Sequence, residues 1–340
     1  MDAMSSAEIW GSAEWRGAAT AWLDDGLADA GIERTGEVEQ PHVRPWATVL
    51  RAPTTAGPVW LKATAPGTSA EIGLYALLRE VVPEQVLQPI AIDLERSWIV
   101  LPDGGPRLDD WLTEVDLAEA MAEIVPAYAR LQRALVPHTD RMLALGLADM
   151  RPAMLPQRFE EALAVVAPDL ERAGEEGRRA YEQLLAAHDT VGSWCGELAG
   201  LPGAASVDHS DLHQWNVLIG RPDGMARPRF YDWGDAVVAH AFASMLVPLW
   251  FVQEHVGDIS DPRVVRVRDA YLAEFDDLAP RRELVRALEL ACRTGKIVRT
   301  LTWARAVESL AGAEVEAEFA REPYMSVDSL LDDDYLGGST

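Results

Sequence analysis

The sequence is poor in cysteine, histidine and long apolar runs, and each shortage makes a class of protein less probable. Its 340 residues include two cysteines, Cys195 and Cys292, which are too few for a disulfide framework and suit a reducing compartment. The longest apolar runs fall short of the ~18 residues of a membrane span. The polar stretch 1–15 lacks the pattern of a secretory signal. We therefore expect a cytoplasmic protein that does not bind membranes.

Positive charge is scarce as well. The 30 Lys and Arg residues are outnumbered by 55 Asp and Glu residues, which gives a net charge of −25. This balance disfavours binding to nucleic acid and to anionic membranes, and it attracts cationic ligands at long range. An acidic composition also serves solubility, so the charge alone identifies no substrate. The length suggests two lobes or domains.

The most distinctive grouping of residues that can do chemistry lies between Val207 and Asp235. This stretch begins with the cluster HSDLHQWN at 209–216 and ends with the cluster DWGD at 232–235. Such a concentration of carboxylate, amide and imidazole side chains predicts that the functional site is built around it.

The residues between the two clusters predict a β-hairpin. Two short apolar runs, 217–219 and 230–231, are separated by the turn signal Pro-Asp-Gly within 221–224. The open end of this hairpin is expected to bring Asn216 and Asp232 together. An amide oxygen and a carboxylate are ligands that suit Mg²⁺.

The spacing within the clusters is typical of kinases. His-x-Asp followed by four residues and Asn is the catalytic-loop pattern, and Asp-x-Gly after a short hairpin is the magnesium-binding pattern. With the second histidine, His213, the stretch resembles the aminoglycoside phosphotransferase family, whose superfamily includes choline, fructosamine and homoserine kinases. The family's usual motif is His-Gly-Asp-Leu-His-Pro-Gly-Asn. This sequence has Ser210, Gln214 and Trp215 in place of Gly, Pro and Gly, and the spacing is the same.

The resemblance covers roughly residues 40–310 and implies an α+β, protein-kinase-like fold with a small β-rich N-lobe and a larger helical C-lobe. It implies transfer of the γ-phosphate of ATP, or alternatively GTP, to a small-molecule hydroxyl. Asp211 would be the catalytic base, and Asn216 and Asp232 would bind Mg²⁺. The residues expected to support them are His209, His213 and Asp235.

The first cluster has one other interpretation. His209, Asp211 and His213 alternate, so on an extended strand they would share a face and could bind a metal ion as in hydrolases. Such a site needs further His or Asp ligands, and no second His-rich motif is present.

Lys62 lies at the end of an apolar strand predicted over 59–63, after another over 47–51. In the resembled kinases a strand lysine contacts the α- and β-phosphates and pairs with a helix glutamate. Glu71 is the expected partner, with Glu80 as second choice. The structural alternatives are a gatekeeper lysine on an edge strand and an acid that complements a helix dipole.

Further strands are predicted over 86–92 and 97–101, followed by the helix-breaking segment Pro102–Pro106. In kinase-like folds the backbone of this linker receives adenine, which makes Val100, Leu101 and Asp103 candidates. A plain domain linker is equally compatible.

Apolar spacing predicts helices over 6–27, 117–135, 176–199, 236–254, 262–276 and 282–311. The expected domains are a helical lead-in (1–40), the N-lobe (41–102), the C-lobe (103–330) and a disordered tail (331–340). In the resembled family the C-terminal helices line the acceptor pocket. The candidates there are Arg299, Trp303, Arg305 and Glu308.

For the acceptor, the net charge and the resemblance place aminoglycoside-type compounds first by a small margin. Acidic residues that could line a cationic pocket are Asp235, Glu254, Asp269, Glu274 and Glu308. For each of these acids taken singly, a solvated surface is the better explanation. The alternatives are another hydroxylated metabolite or antibiotic, such as a sugar, amino alcohol or nucleoside, and, more remotely, a nucleotide-binding module without turnover.

Overall fold

The computed structural model describes residues 5–225, 227–308 and 321–336. Its helices are α1 (Ser6–Gly11), α2 (Ala13–Asp29), α3 (Ala70–Val81), α4 (Leu117–Leu135), α5 (Thr139–Ala144), α6 (Leu155–Arg172), α7 (Gly174–Ala186), α8 (His188–Gly200), α9 (Leu246–Val256), α10 (Pro262–Ala273), α11 (Arg281–Glu308) and α12 (Glu322–Asp328). Its strands are β1 (Glu39–Val43), β2 (Ala47–Ala52), β3 (Val59–Thr64), β4 (Ala91–Asp93), β5 (Trp98–Pro102), β6 (Ala148–Met150), β7 (Ala205–Asp208), β8 (Val217–Leu218), β9 (Arg229–Phe230) and β10 (Val237–His240).

The described residues form two compact units. The N-unit contains residues 5–105, 229–234 and 305–308, and the C-unit contains 106–225, 227–228, 235–304 and 321–336. The first division falls inside the Pro-Gly segment in which the sequence predicts a lobe boundary. The DWGD cluster is itself divided, because Asp232 belongs to the N-unit and Asp235 to the C-unit.

The N-unit is built on a five-stranded antiparallel sheet with the order β1-β2-β3-β5-β4. Lys62 on β3 lies opposite Val49 on one side and Ile99 on the other. The strand that carries Lys62 is therefore central, and the interpretation of Lys62 as an edge-strand gatekeeper is wrong. The predicted strand over 86–92 is reduced to β4, because Pro89 lacks the N–H that a strand interior needs.

The N-terminal helices belong to the core of the N-unit. Apolar residues of α2, including Leu23 and Leu27, pack with Leu61 and Val100 of the sheet. The predicted helix over 6–27 is divided at Ser12, whose side chain accepts a hydrogen bond from the Trp15 backbone N–H and so caps a second helix. The residues predicted as a lead-in thus complete one face of the sheet.

The C-unit is mainly helical, with a three-stranded sheet of order β6-β10-β7. β10 runs parallel to β6 and antiparallel to β7. The first part of the helix predicted over 236–254 is therefore wrong, since 237–240 is strand and α9 begins at Leu246. A fully buried run shows no polar face from which its period can be read, and the β-branched pair Val237-Val238 favours strand.

The predicted helix over 176–199 is divided into α7 and α8, and α6 precedes them. Part of the segment predicted as a disordered tail is packed: Leu336 is buried, and the Arg293 side chain donates to the carbonyls of Asp332 and Asp333. Residues 309–311 of the predicted last helix and 337–340 of the tail lie outside the described residues. In the described part of the chain, no helix combines the length and apolarity needed to cross a membrane.

Candidate active site

The first polar cluster of the site lies within the N-unit and is centred on Lys62. The Lys62 Nζ atom is 2.7 Å from Glu71 Oε2 and 2.6 Å from Asp232 Oδ1. The Glu71 side chain is 1% exposed, whereas that of Asp232 is 51% exposed. Glu71, rather than Glu80, is therefore the carboxylate that anchors the lysine, and Asp232 presents the accessible side of the group. Burial alone would lower the pKa of Lys62, but the charges of Asp232 and Glu71 outweigh it and raise that pKa.

Asp232 has an unusual backbone conformation. Its φ is 63°, in the left-handed region that favours glycine, and such a residue stores on the order of 1–3 kcal/mol of strain. A Cβ atom added to Gly234 would lie 3.4 Å from Glu71 Oε2 and 4.0 Å from Lys62 Nζ. The Asp-x-Gly turn therefore lies in van der Waals contact with the charged group.

The second cluster lies within the C-unit and is centred on Asp211. The Arg299 Nη1 atom donates to Asp211 Oδ1 at 3.1 Å and to the Ser210 carbonyl at 2.6 Å. His213 Nε2 is 3.1 Å from Asp211 Oδ2, and the Asn216 amide donates to the same oxygen at 3.1 Å and to the Asp211 carbonyl at 2.8 Å. Three side chains therefore fix the position of one carboxylate.

The three substitutions relative to the resembled family's motif do not disrupt the conformation of this loop. Ser210 has a φ of 59°, so it adopts the conformation for which the usual glycine is suited. Gln214 and Trp215, which replace Pro and Gly, lie in a turn of 3-10 helix over Gln214–Asn216. Ser210 is therefore a strained residue immediately before Asp211.

The partners of Asp211 set its charge. Burial by itself would raise the pKa of this carboxyl, but the hydrogen bond from His213 and the charge of Arg299 outweigh it, and the pKa lies well below its usual range. Asp211 is therefore ionised at neutral pH. It can accept a hydrogen bond from a hydroxyl, and the partners that orient it also hold its charge.

We expect the substitution Arg299→Met to shift the acid limb of the kcat/KM profile to higher pH. The group has a depressed pKa, so the ionised form is lost only as pH falls through that value, and removal of Arg299 moves the pKa up towards or beyond the ~3.9 of an ordinary Asp. The profile is measured from pH 9 down to the lowest pH at which both proteins stay folded. Arg286→Met is the control, because Arg286 on the same helix pairs with Glu197 instead. An unchanged acid limb in Arg299→Met would show that Arg299 does not tune Asp211.

A buried polar network that sequence reasoning missed supports the Asp211 loop. Asp208 Oδ1 accepts from the Ser210 N–H and the Ser244 hydroxyl, both at 2.8 Å, and burial raises the pKa of this carboxyl. Tyr128 Oη is 3.0 Å from Ser244 Oγ and accepts from the His209 N–H at 3.0 Å. The signal available in the sequence was Asp208, a carboxylate at the end of an apolar strand.

His209 and Asp235 have different positions. The His209 side chain is fully buried, with its backbone held by the network, which fits support of the loop. Asp235 is half-buried in the C-unit. Among the described residues there is no group of three or more His, Cys, Asp or Glu side chains arranged to hold a metal ion.

The oxygens of Asn216 and Asp232 fit a hard cation chemically. Asn216 uses its amide nitrogen for Asp211, so its oxygen is the atom left for a ligand, and half of the Asp232 side chain is exposed. Mg²⁺ in nucleotide sites is held by one or two such protein oxygens together with phosphate oxygens. The donor types therefore match the predicted metal.

The three linker candidates lie at the end of β5. The Asp103 N–H donates to the Pro58 carbonyl at 3.0 Å, and the Val100 carbonyl accepts from the Ile90 N–H at 2.7 Å. Leu101 pairs with Trp60 of β3. Two of the backbone groups considered for adenine are thus engaged within the N-unit. The Asp103 carboxylate also accepts from the Trp60 indole and the Gly105 N–H, which orders the segment itself.

A cavity of about 370 Å³ opens beside Asp211 within the C-unit. Its walls come from α9, α11 and the segment that begins at α12. The lining residues are Asp211, His213, Leu246, Val247, Trp250, Phe251, Lys296, Arg299, Trp303, Glu322, Met325, Ser326, Ser329 and Leu336. Arg299 and Trp303 were predicted there, whereas Lys296 and the C-terminal segment were missed. The side chain of Glu308 lies outside the described residues.

Comparison with solved structures identifies the fold. The protein is similar to a macrolide 2'-phosphotransferase from Brachybacterium faecium, with 18% identity, a TM-score of 0.56 and coverage of 90% of this chain and 97% of that one. It is similar to an ethanolamine kinase from Plasmodium vivax, with 7% identity, a TM-score of 0.63 and coverage of 98% and 96%. A spectinomycin phosphotransferase in complex with ADP and spectinomycin has 13% identity, a TM-score of 0.54 and coverage of 91% and 96%.

These similarities establish the fold of small-molecule kinases, a protein-kinase-like α+β architecture, as the sequence predicts. No protein-family model matches the chain, and no curated protein matches it. What the protein does has to be argued from its own side chains.

Proposed function

We propose that the protein is an ATP-dependent phosphotransferase that phosphorylates a hydroxyl group of a small molecule, with GTP as the alternative nucleotide. The observation that carries the proposal is the Asp211 carboxylate, which Arg299 and His213 hold ionised in the wall of a cavity of small-molecule size. The neighbour solved with ADP supports an adenine nucleotide.

Each cluster has a role in this reaction. Asp211 accepts a hydrogen bond from the acceptor hydroxyl and takes its proton as the hydroxyl oxygen attacks the γ-phosphorus, while the bond between the γ-phosphorus and the β–γ bridging oxygen breaks and ADP leaves. Lys62, fixed by Glu71, donates to non-bridging oxygens of the α- and β-phosphates. Arg299 and His213 keep the base oriented, since each bonds one of its carboxylate oxygens.

Asn216 and Asp232 are the proposed ligands of Mg²⁺. When bound, this ion neutralises charge that develops on the phosphate oxygens during transfer. The Asn216 amide nitrogen remains bonded to Asp211, so one residue would serve both the base and the metal.

The acceptor was ranked from the net charge, which favours an aminoglycoside-type compound. Of these acids, Asp235, Glu254, Asp269 and Glu274 do not line the cavity: Glu274 pairs with Arg130, and Asp269 with Arg268. These four side chains therefore give the aminoglycoside ranking no support at the cavity. Other hydroxylated metabolites or antibiotics remain as acceptors within the same function.

We expect ADP formation to depend on both Mg²⁺ and a hydroxyl acceptor. The experiment measures ADP by a coupled assay across a chemically broad acceptor panel, and mass spectrometry then identifies the phosphorylated product. Nucleotide binding without acceptor-dependent ADP anywhere in the panel would favour the alternative of a binding module. The presence of Asp211, Asn216 and Asp232 argues against that alternative, because a degenerate kinase usually lacks one of the three.

A further inference from the structure

The cavity beside Asp211 has a lining that bears on the class of acceptor. Its apolar residues are Leu246, Val247, Trp250, Phe251, Trp303, Met325 and Leu336. The rings of Trp250 and Phe251 pack edge to face at 4.8 Å, and Phe251 also contacts the His213 ring at 5.3 Å. Walls of this kind stabilise a ligand by removing apolar surface from water, so they favour an apolar or aromatic body over a densely charged one.

The charged groups of the cavity differ in whether an opposite charge lies beside them. Asp211 is neutralised by Arg299, and the remaining acid of the lining is the half-buried Glu322. Lys296 is 2% exposed, and its Nζ atom donates to the Ser329 carbonyl at 2.7 Å. Within the described residues no carboxylate lies within 4.0 Å of this ammonium.

An ammonium group has three N–H donors, and among the described residues Lys296 has one acceptor, the Ser329 carbonyl. A buried charge with unused donors is costly unless a ligand completes its hydrogen bonds. Burial lowers the pKa of Lys296 to about 8, and the charge of Asp332 acts in the opposite direction. An oxygen atom of a ligand that accepts a hydrogen bond would therefore stabilise the Lys296 ammonium group. A cationic group of a ligand would be repelled by it.

We propose, resting on the phosphotransferase function above, that the acceptor is a hydroxyl compound with an apolar or aromatic body and an oxygen group that accepts a hydrogen bond from Lys296. The oxygen group is a carboxylate or a carbonyl. A polycationic acceptor is disfavoured, because its ammonium groups would meet the charge of Lys296, which no described carboxylate compensates, between apolar walls. Lys296 is in this view a specificity-determining residue.

Binding of three matched benzyl alcohols tests the proposal. The probes are 4-(hydroxymethyl)benzoate, 4-(hydroxymethyl)benzamide and 4-(hydroxymethyl)benzylamine, which share the ring and the hydroxyl and differ in charge. By calorimetry we expect the carboxylate and the carboxamide to bind at least about tenfold more tightly than the amine, since hydrogen bonds to a charged group are among the stronger ones. Tighter binding of the amine, equal binding of all three, or no detectable binding of any would overturn the proposal.

The pH dependence separates the two oxygen groups. Lys296 loses its charge as pH rises through its pKa, so the affinity for the benzoate falls between pH 7 and 10, while the benzamide keeps its hydrogen bond and changes less. If the amine gains affinity relative to both as pH rises, because its own charge is lost, the conclusion that the cavity rejects cations is strengthened.

Variants assign the preference to Lys296. Lys296→Met should reduce the difference between benzoate and benzylamine to less than about threefold. Arg293→Met is the matched control: it also removes an anchor of the C-terminal segment but is not in the lining, so the preference should survive. Thermal unfolding of both variants reports any loss of folding, and the result on the parent protein stands without either. If Lys296→Met is folded and keeps the preference, Lys296 does not determine it.

Binding and turnover measurements test the cavity inference and the proposed function separately. If the benzoate binds through Lys296 but no acceptor supports ADP formation, the proposed function is wrong and the inference about the cavity stands. If ADP formation is supported best by a polycation such as spectinomycin, the function stands and the inference is wrong.

Discussion

We expect the substitution Asp211→Asn to lower kcat by ~10²–10⁴-fold, the usual loss when a general base is removed. Asparagine keeps the size of the side chain and can still accept from Arg299 at its amide oxygen, but it cannot take the proton of the acceptor hydroxyl. Nucleotide affinity should remain close to that of the parent, because Lys62 and Glu71 are unaffected.

The matched control for this change is Asp149→Asn. Asp149 is also a partly exposed aspartate of the C-unit held by an arginine, with Arg151 Nη2 at 2.6 Å from its carboxylate, but it does not line the cavity. Steady-state kinetics and nucleotide titration are measured for both variants. Asp211 would lose its assignment as the base if Asp211→Asn turned over at a rate similar to Asp149→Asn.

The second large effect concerns Lys62. We expect Lys62→Met to lower kcat/KM by roughly 10²-fold or more, as removal of a preorganised donor to a developing charge does. The variant also leaves the Glu71 carboxylate buried without its cation, so a loss of stability on the order of 3 kcal/mol is expected, the low end for breaking a buried pair.

A double variant separates the two effects. In Lys62→Met/Glu71→Gln the buried charge is removed together with its partner, so most of the lost stability should return while kcat/KM stays low. Denaturant unfolding measures the first quantity and nucleotide kinetics the second. Recovery of kcat/KM in parallel with stability would mean that Lys62 only holds the N-unit together.

Local sequence patterns were sufficient where a signal is short and chemically distinctive. The spacing of Asp211 and Asn216 identified a loop in which the two side chains are in fact bonded. The position of Lys62 on an apolar strand, with Glu71 on the next helix, identified an ion pair across nine residues. Such signals can be recognised in a sequence because the geometry of a hydrogen bond or ion pair restricts both the residue types and their spacing.

Periodicity failed where burial is complete. The run that contains β10 is apolar on every face, so neither the helical nor the strand period was visible in it, and its pairing with β6 and β7 decided its structure. The prediction of a disordered tail was wrong in part for a similar reason. The acidic residues Asp332 and Asp333 suggest a solvated segment, but their backbone carbonyls accept hydrogen bonds from Arg293.

The sequence by itself determined the kinase-like plan, and it predicted the proposed base, the paired lysine and the proposed metal ligands, because each depends on residues that are close in the chain or fixed by a motif. Only the tertiary structure decided what surrounds Asp211. Arg299 lies 88 residues away from it in sequence, and the network of Asp208, Tyr128 and Ser244 joins three separate elements. The character of the acceptor cavity was decided in the same way: the net charge of −25 is a sum over the whole chain, whereas affinity depends on the few side chains that folding brings to one wall.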